Sequence, residues 1–392
     1  MMPGPRALSD RDIVCVGFAD WDTELWTNQH HLMSRLAQNN RVLFVESLGL
    51  RQPQLARRDL TRIVRRLRRG LAPPRAADGL HVLSPLVLPF HRYKLVRALN
   101  GRLLPALVRR ATRRLGFGAC PVLWAYVPQA EVLLGALRPE LTIYHCVDDM
   151  AAQAGIDAAS FRAAEERFVA DADLVLASAP ALASRMRTLS SNVLYAPNVA
   201  DTELFATALE PGPLDAALGA LPAPRIVFTG AIVQTKLDFD LLIELARARR
   251  AWSFALVGPV GPGDPRTDVS ALAGEPNIHL LGARAYSELP EVLRAADAGL
   301  IPYARNELTE SIFPMKVYEY LAAGRPVVST PLPALQGVAE VATAPDAEGI
   351  AELLDRAIAG DDPERRAERS RMAASHSWEQ RLREIEAAIG SL

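Results

Sequence analysis

Residues 225–248, RIVFTGAIVQTKLDFDLLIELARA, decide how the chain folds. Ile226, Val227 and Phe228 form a short, unbroken apolar run. The small residues Gly230 and Ala231 follow, and then leucines at helical spacing, Leu241, Leu242 and Leu245. That order predicts a strand, a tight turn and a helix. A strand apolar on both faces has to be covered on both sides, which is the signature of a parallel sheet wrapped by helices.

Working outward, the same unit recurs along the chain. RIVFTGA, SFALVGP, IHLLGA, AGLIPYA and PVVSTP are strand-like in the second half. DIVCVGF, RVLFVES, GLHVLSP, PVLWAYV, LTIYHCV, ADLVLAS and NVLYAPN are strand-like in the first, with helix-like segments between. The predicted fold class is α/β, two Rossmann-like doubly wound domains facing across a cleft. The segment EPGPLDAALGALPAP (210–224) is rich in Pro and Gly and is expected to be a linker, so a boundary is placed near residue 200. A charged helix is expected from about 346 to 375, followed by an amphipathic helix in SWEQRLREIEAAIGSL. The resulting divisions are 1–200, 201–375 and a terminal helix, 376–392.

With 392 residues the chain exceeds a single core of ordinary size. Its 49% apolar and 23% charged residues are those of a globular protein. A formal net charge of -1 argues against bulk electrostatic binding of nucleic acid. Cys15, Cys120 and Cys146 are widely spaced and form no C-x-x-C pair, so a reducing, cytoplasmic setting and no zinc site are expected. No signal peptide is read in the first residues. GLHVLSPLVLPF, the longest apolar stretch, is too short and proline-broken to span a bilayer. Any membrane contact is therefore expected to be peripheral.

The near-neutral total hides an asymmetry. Residues 51–114 hold 16 Arg and one Lys against Asp59 and Asp78. LARRDLTRIVRRLRRGL and HRYKLVRALNGRLLPALVRRATRRLG alternate arginines with an apolar stripe. Two readings stand: a solvated helix face, or a helix lying on an anionic membrane surface. The size of the excess favours the membrane. Aromatic stacking residues are scarce there, so nucleic acid is not an expected partner.

Loops after parallel strands are where ligands bind, and two groups of them carry candidate chemistry. In LTIYHCVDDMAAQ, His145, Asp148 and Asp149 follow a strand. One aspartate is expected to cap a helix beginning near Met150, leaving the other as a general base or hydroxyl contact. His145 is either a participant or a buried, hydrogen-bonded histidine. In the second half, Gly230 lets backbone approach a ligand, and Lys236 before the helix suits phosphate oxygens. Gly282, Arg284 and Tyr286 follow one strand and Tyr303 another. The glycines of FALVGPVGPGDP are in the wrong order for a dinucleotide fingerprint. In FPMKVYEYLAAGRPVVST, Lys316 and Glu319 lie one turn apart near a helix start, on one face. A lysine there adds to the positive dipole end, which is unfavourable unless an anion binds; a surface ion pair is the competing reading.

FPMKVYEYLAAGRPVVST, with LYAPNVADTELF, FTGAIVQTK, NIHLLGARAYSELPEVLRAADAGLIPY and SHSWEQR, resembles the GT-B glycosyltransferases of the family 4 type. The similarity extends to the branch of teichuronic-acid enzymes and xanthan glucuronosyltransferase. The resemblance implies a hexosyltransferase whose second domain binds a nucleotide-sugar, usually a UDP-sugar, and whose first domain binds a lipid-linked or glycan acceptor. The terminal helix would cross back to the first domain. It implies that Glu319 holds the ribose, Lys316 and Lys236 the diphosphate, and backbone near Arg284 the base. Met315 with Lys316 matches a donor-contacting pair, and Asp148 or Asp149 a base or acceptor contact. Where the family places a glutamate on the transferred sugar, this chain has Ser311, with Glu310 shifted by one. No metal or cofactor beyond the nucleotide-sugar is implied, since two lysines can offset the leaving group's charge. The competing functions are a nucleotide-sugar epimerase of the same architecture and a non-catalytic nucleotide-sugar-binding protein at the membrane.

Overall fold

The computed structural model describes residues 8–23, 25–48, 72–87, 94–153, 155–262, 264 and 266–392. The chain divides into two compact units, residues 1–197 with 382–392, and residues 198–381.

In the first unit the strands are β1 (Asp12–Val16), β2 (Arg41–Val45), β3 (Arg75–Ala77), β4 (Leu80–Leu83), β5 (Val122–Ala125), β6 (Leu141–Cys146), β7 (Leu174–Ala177) and β8 (Val193–Tyr195). They form one sheet in the order β3-β4-β2-β1-β5-β6-β7-β8, parallel except for β3 against β4. Its middle strands β1, β5, β6 and β7 are buried along almost their whole length, as strands covered on both faces must be. β3 is a short edge strand inside the basic segment and has no apolar signal of its own. Of that segment, LARRDLTRIVRRLRRGL and residues 88–93 lie outside the described residues. The remainder contributes the helix Lys94–Arg114. Its Leu104, Val108 and Ala111 are buried in the core of this unit, while Arg102, Arg109, Arg110, Arg113 and Arg114 are exposed.

The second unit is built from β9 (Arg225–Thr229), β10 (Ser253–Val257), β11 (Ile278–Gly282), β12 (Ala298–Ile301), β13 (Val327–Ser329) and β14 (Val341–Thr343). All are parallel, in the order β11-β10-β9-β12-β13-β14. Counted from β9 this is the 3-2-1-4-5-6 order of a doubly wound dinucleotide-type sheet. The alternation in sequence therefore predicts the architecture correctly; β14, three partly exposed residues, escaped it.

Three local expectations are corrected. Residues 210–224 are not a linker but part of the second unit. Asp215 caps the short helix Ala216–Gly219, Leu218 is fully buried, and the Arg294 guanidinium donates to the carbonyls of Thr207, Glu210 and Pro213. The expected helix from 346 to 375 is two helices, Ala347–Ala359 and Pro363–Ala373. Gly360 ends the first, and Asp362 caps the second with Pro363 at its opening position. The helix expected near Met150 is a single 3-10 turn, Met150–Ala152, with the true helix starting at Ala158 behind its own cap, Asp157.

Close loop packing sets the geometry beyond the carboxyl ends of β9 and β10. Gly258 has φ 156°, and a Cβ there would lie 1.9 Å from the carbonyl oxygen of Gly230. Gly258→Ala is therefore expected to destabilise the second unit by at least about 2 kcal/mol, through overpacking and backbone strain together. Gly282, at φ 74° with nothing within 4 Å of its would-be Cβ, should lose only about 1 kcal/mol on the same change. Urea denaturation of the two variants measures the difference.

Candidate functional site

An open sheet of this strand order has a crevice outside the carboxyl ends of the two strands where the winding reverses. Here those strands are β9 and β12. β9 runs into Gly230, whose φ of 126° is a conformation that suits glycine. β12 runs into Tyr303, buried at 6% exposure. The two loops are laced together by backbone bonds. Ala304 N–H donates to the Lys236 carbonyl at 2.8 Å, Asp238 N–H to the Pro302 carbonyl at 2.9 Å, and Leu237 bridges Tyr303. Lys236 is thus held beside Tyr303 by main chain, with its side chain half-buried.

Lys316 opens the helix Lys316–Ala322 and reaches into this corner. Its Nζ donates to Tyr303 Oη at 3.0 Å and lies 5.0 Å from the Phe228 ring centroid and 5.2 Å from that of Tyr303. A Cβ added to Gly230 would sit 3.5 Å from that nitrogen. All these contacts are with neutral groups, and the ion pairs among the described residues do not include Lys316. The competing reading, a Lys316–Glu319 surface ion pair, is not what the structure forms. A half-buried ammonium steadied by ring faces and one phenol keeps most of its capacity for an anion.

Glu319 lies on the same helix face and is buried at 6% exposure. Tyr286 Oη donates to its Oε1 at a long 3.5 Å. Burial pushes the carboxyl up to about 7, against the opposing pull of Lys316 and the Tyr286 hydroxyl. The helix itself is pinned by Tyr320, whose hydroxyl accepts from Thr229 N–H at 2.7 Å and whose ring occupies the space above Gly299. On another side Tyr318 stacks between Phe313, at 5.6 Å, and His376, at 4.0 Å.

The remaining expected residues are placed as follows. Met315 is half-buried immediately before the helix, and Ser311 is buried at 8% exposure after the short helix Glu307–Glu310. Glu310 is exposed. Arg284 follows β11, but its guanidinium is engaged internally, donating to Asp215 at 2.6 Å and to the Leu281 carbonyl at 2.8 Å. Only its backbone neighbourhood is open to a ligand role, and there Ala285 N–H is already taken by Glu288. Sequence reasoning missed Phe228 and Tyr320, because which face of a strand or helix meets the crevice depends on the sheet order.

In the first unit the three candidates part company. His145 lies within β6 at 1% exposure, its ring stacked on Tyr126 at 4.9 Å and near Trp124 at 5.9 Å, so it reaches no solvent. Asp149 is the cap: its Oδ1 accepts from Ala151 N–H at 3.2 Å, and its Oδ2 from Arg162 at 2.5 Å. Arg162 in turn approaches the buried Glu165 at 3.6 Å, which also takes Arg185 and, at 2.6 Å, the Tyr144 hydroxyl. Asp148, half-buried beside this network, is the carboxylate not used as the cap.

The burial of Glu319 makes a signed prediction. Its folded value, about 7, lies above the ordinary 4.5, so the native state binds the proton more tightly than the unfolded chain. The associated stability is fully present below about pH 4.5 and is lost as pH rises through 7. At about 1.4 kcal/mol per pH unit the loss approaches roughly 3 kcal/mol. Glu319→Gln, which cannot ionise, should lack this decline, so its melting temperature should exceed that of the parent chain at pH 8 by more than at pH 5.

Comparison with known proteins adds similarities in sequence and in fold. Residues 223–360 match the model described as "Glycosyl transferases group 1". The chain is 30% identical over 258 residues to TuaH of Bacillus subtilis (strain 168), named for glycosyl transfer in teichuronic acid biosynthesis; the match covers 62% of each. The chain thus spans less than two thirds of that relative's length. Among solved structures it is similar to sucrose-phosphate synthase of Thermosynechococcus elongatus, with a TM-score of 0.65 and 15% identity, covering 96% of this chain and 97% of that one. It is also similar to HepE of Anabaena in complex with UDP-glucose, with a TM-score of 0.66 and 13% identity, covering 97% and 100%. At those identities the likeness concerns the fold. Residues 223–360, which hold the whole cluster from Gly230 to Glu319, are therefore similar to the glycosyl transferases group 1, in a chain with the GT-B fold.

Proposed function

We propose that the protein is a glycosyltransferase that moves a sugar from a nucleotide-sugar, a UDP-sugar by preference, to a lipid-linked or glycan acceptor in surface polysaccharide synthesis. The observation that carries this is Lys316: an ammonium at the sheet's switch point, beside Gly230 and Tyr303, with no carboxylate partner. The family domain, TuaH and the UDP-glucose complex of HepE support the same reading.

In this proposal the glycosyl C1–O bond to the diphosphate breaks with oxocarbenium character, and the departing oxygens gain charge. Lys316 and Lys236 stabilise that charge as preorganised cations, and the backbone at Gly230 approaches the phosphates. Glu319 accepts from the ribose hydroxyls, which draws it further toward its ionised form as the donor binds. Met315 and Ser311 line the approach of the sugar, and backbone beside Arg284 meets the base. Asp148 serves as the acceptor's base or hydroxyl contact, with Asp149 and its Arg162 partner holding the loop. These groups supply the charge stabilisation without calling on a metal.

The membrane forms part of the proposal. The helix Lys94–Arg114 has no acidic residue and exposes five arginines, with Leu99 at 43% and nearby Val132 at 38% exposure. No described helix is long and apolar enough to cross a membrane, and such a basic surface suits the cytoplasmic, anionic face of the cell membrane.

Two measurements test the reading. UDP-glucose and UDP-glucuronate should raise the melting temperature and be turned over with a lipid-linked acceptor; Lys316→Ala should lower kcat by about 10²–10³-fold, as loss of one charge-stabilising donor does. Tight UDP binding without turnover across a donor and acceptor panel would leave a binding protein instead. Sedimentation with phosphatidylserine vesicles at low salt should deplete the supernatant, and equal recovery with neutral vesicles would remove the membrane component.

A further inference from the structure

The opposite edge of the second sheet holds a second concentration of positive charge. A cavity of about 260 Å³ lies where β13 and β14 begin, lined by Pro326, Glu340, Val341, Arg356, Arg365 and Arg369 among others. The glycosyltransferase reading makes no use of it: Gly230 and Tyr303, with Lys316 beside them, lie beyond the carboxyl ends of β9 and β12, whereas this cavity is at the amino ends of the parallel strands β13 and β14. It exists because the chain breaks at Gly360, so that the end of one helix and the start of the next both face the sheet edge.

Its floor is charged and buried. Arg369 is 4% exposed, donates to the Gly324 carbonyl at 2.9 Å and to Asp361 at 2.6 Å, and its Nε makes no hydrogen bond. The same Asp361 also takes Arg366 at 2.6 Å. Next to Pro326, Arg325 is 5% exposed, and its Nε also lacks a hydrogen-bond partner. Burial, with Arg366 and Arg369 as like charges, pushes Arg325 down to about 10, although Asp361 and Asp297 oppose this. Buried cations need compensation by hydrogen-bonded anions; Asp361 is the carboxylate hydrogen-bonded to Arg366 and Arg369, and no hydrogen bond reaches Nε of Arg325 or Arg369. The other acid at the cavity, Glu340, is 40% exposed, stands 3.5 Å from Arg369 Nε, and holds a left-handed backbone at φ 62°. It approaches the buried arginine without closing a hydrogen bond.

We propose that this cavity is a phosphate-dianion site, in which Arg356 and Arg365 from the rim and Arg369 from the floor bind the oxygens and Glu340 gives way. Planar guanidinium forks suit phosphate oxygens, two N–H groups at a time.

The test is a titration of the full chain with inorganic phosphate at constant ionic strength, read by melting temperature and by calorimetry. The expected result is a saturable rise for the parent chain. Arg356→Gln with Arg365→Gln, both exposed positions, should weaken it at least tenfold, and Glu340→Gln should tighten it severalfold. In the Lys316→Ala background the saturable rise should persist and should still be weakened by the double arginine change, which separates this site from the crevice at β9 and β12. The proposal is overturned if the double arginine variant titrates like the parent chain, or if Lys316→Ala abolishes the effect.

Discussion

The ammonium of Lys316 sits where a cation is poorly solvated and has no opposite charge to rest on. Two ring faces and a phenol hold it, Gly230 leaves it space, and the helix start it occupies adds its own positive end. Such a position is tolerable because Tyr320 locks the helix to the end of β9 and Phe228 lies under it. Much of what surrounds it in the second unit can be understood as keeping that ammonium in place and accessible to an anion.

Glu319 balances it in a different way from a salt bridge. A directly paired carboxylate would be ionised and would quench the lysine. Burial instead holds Glu319 near its titration point at neutral pH, so that it can become an acceptor when hydroxyl donors arrive. Two charged side chains one turn apart thus keep separate tasks, because one points to the ring-lined corner and the other toward Tyr286.

The first unit shows the contrast of a charge cluster whose acids and arginines pair with one another. Asp149, Arg162, Glu165, Arg185 and Tyr144 form a chain of hydrogen bonds and ion pairs beneath the carboxylate loop. Such a network stiffens the loop and fixes which aspartate is structural. In sequence the two aspartates have the same chemistry, and the bonds Asp149 accepts from Ala151 N–H and Arg162 distinguish it.

The sequence alone determined the α/β class, nearly every strand, and the placing of Gly230, Tyr303, Lys316 and Glu319 after strands or at a helix start. Those features are local: apolar runs set strands, and i, i+3 spacing sets a shared helix face. The strand order, and with it the meeting of β9 and β12 that brings Phe228, Gly230, Tyr303 and Lys316 together, came only from the tertiary structure. So did the burial of His145, the internal use of Arg284, and the packing of residues 210–224 into the second unit. Each of these depends on contacts between residues far apart in the chain, which side-chain periodicity does not encode. The break at Gly360 is an intermediate case, since its glycine, aspartates and proline are written in the sequence, but the cationic cavity it creates is not.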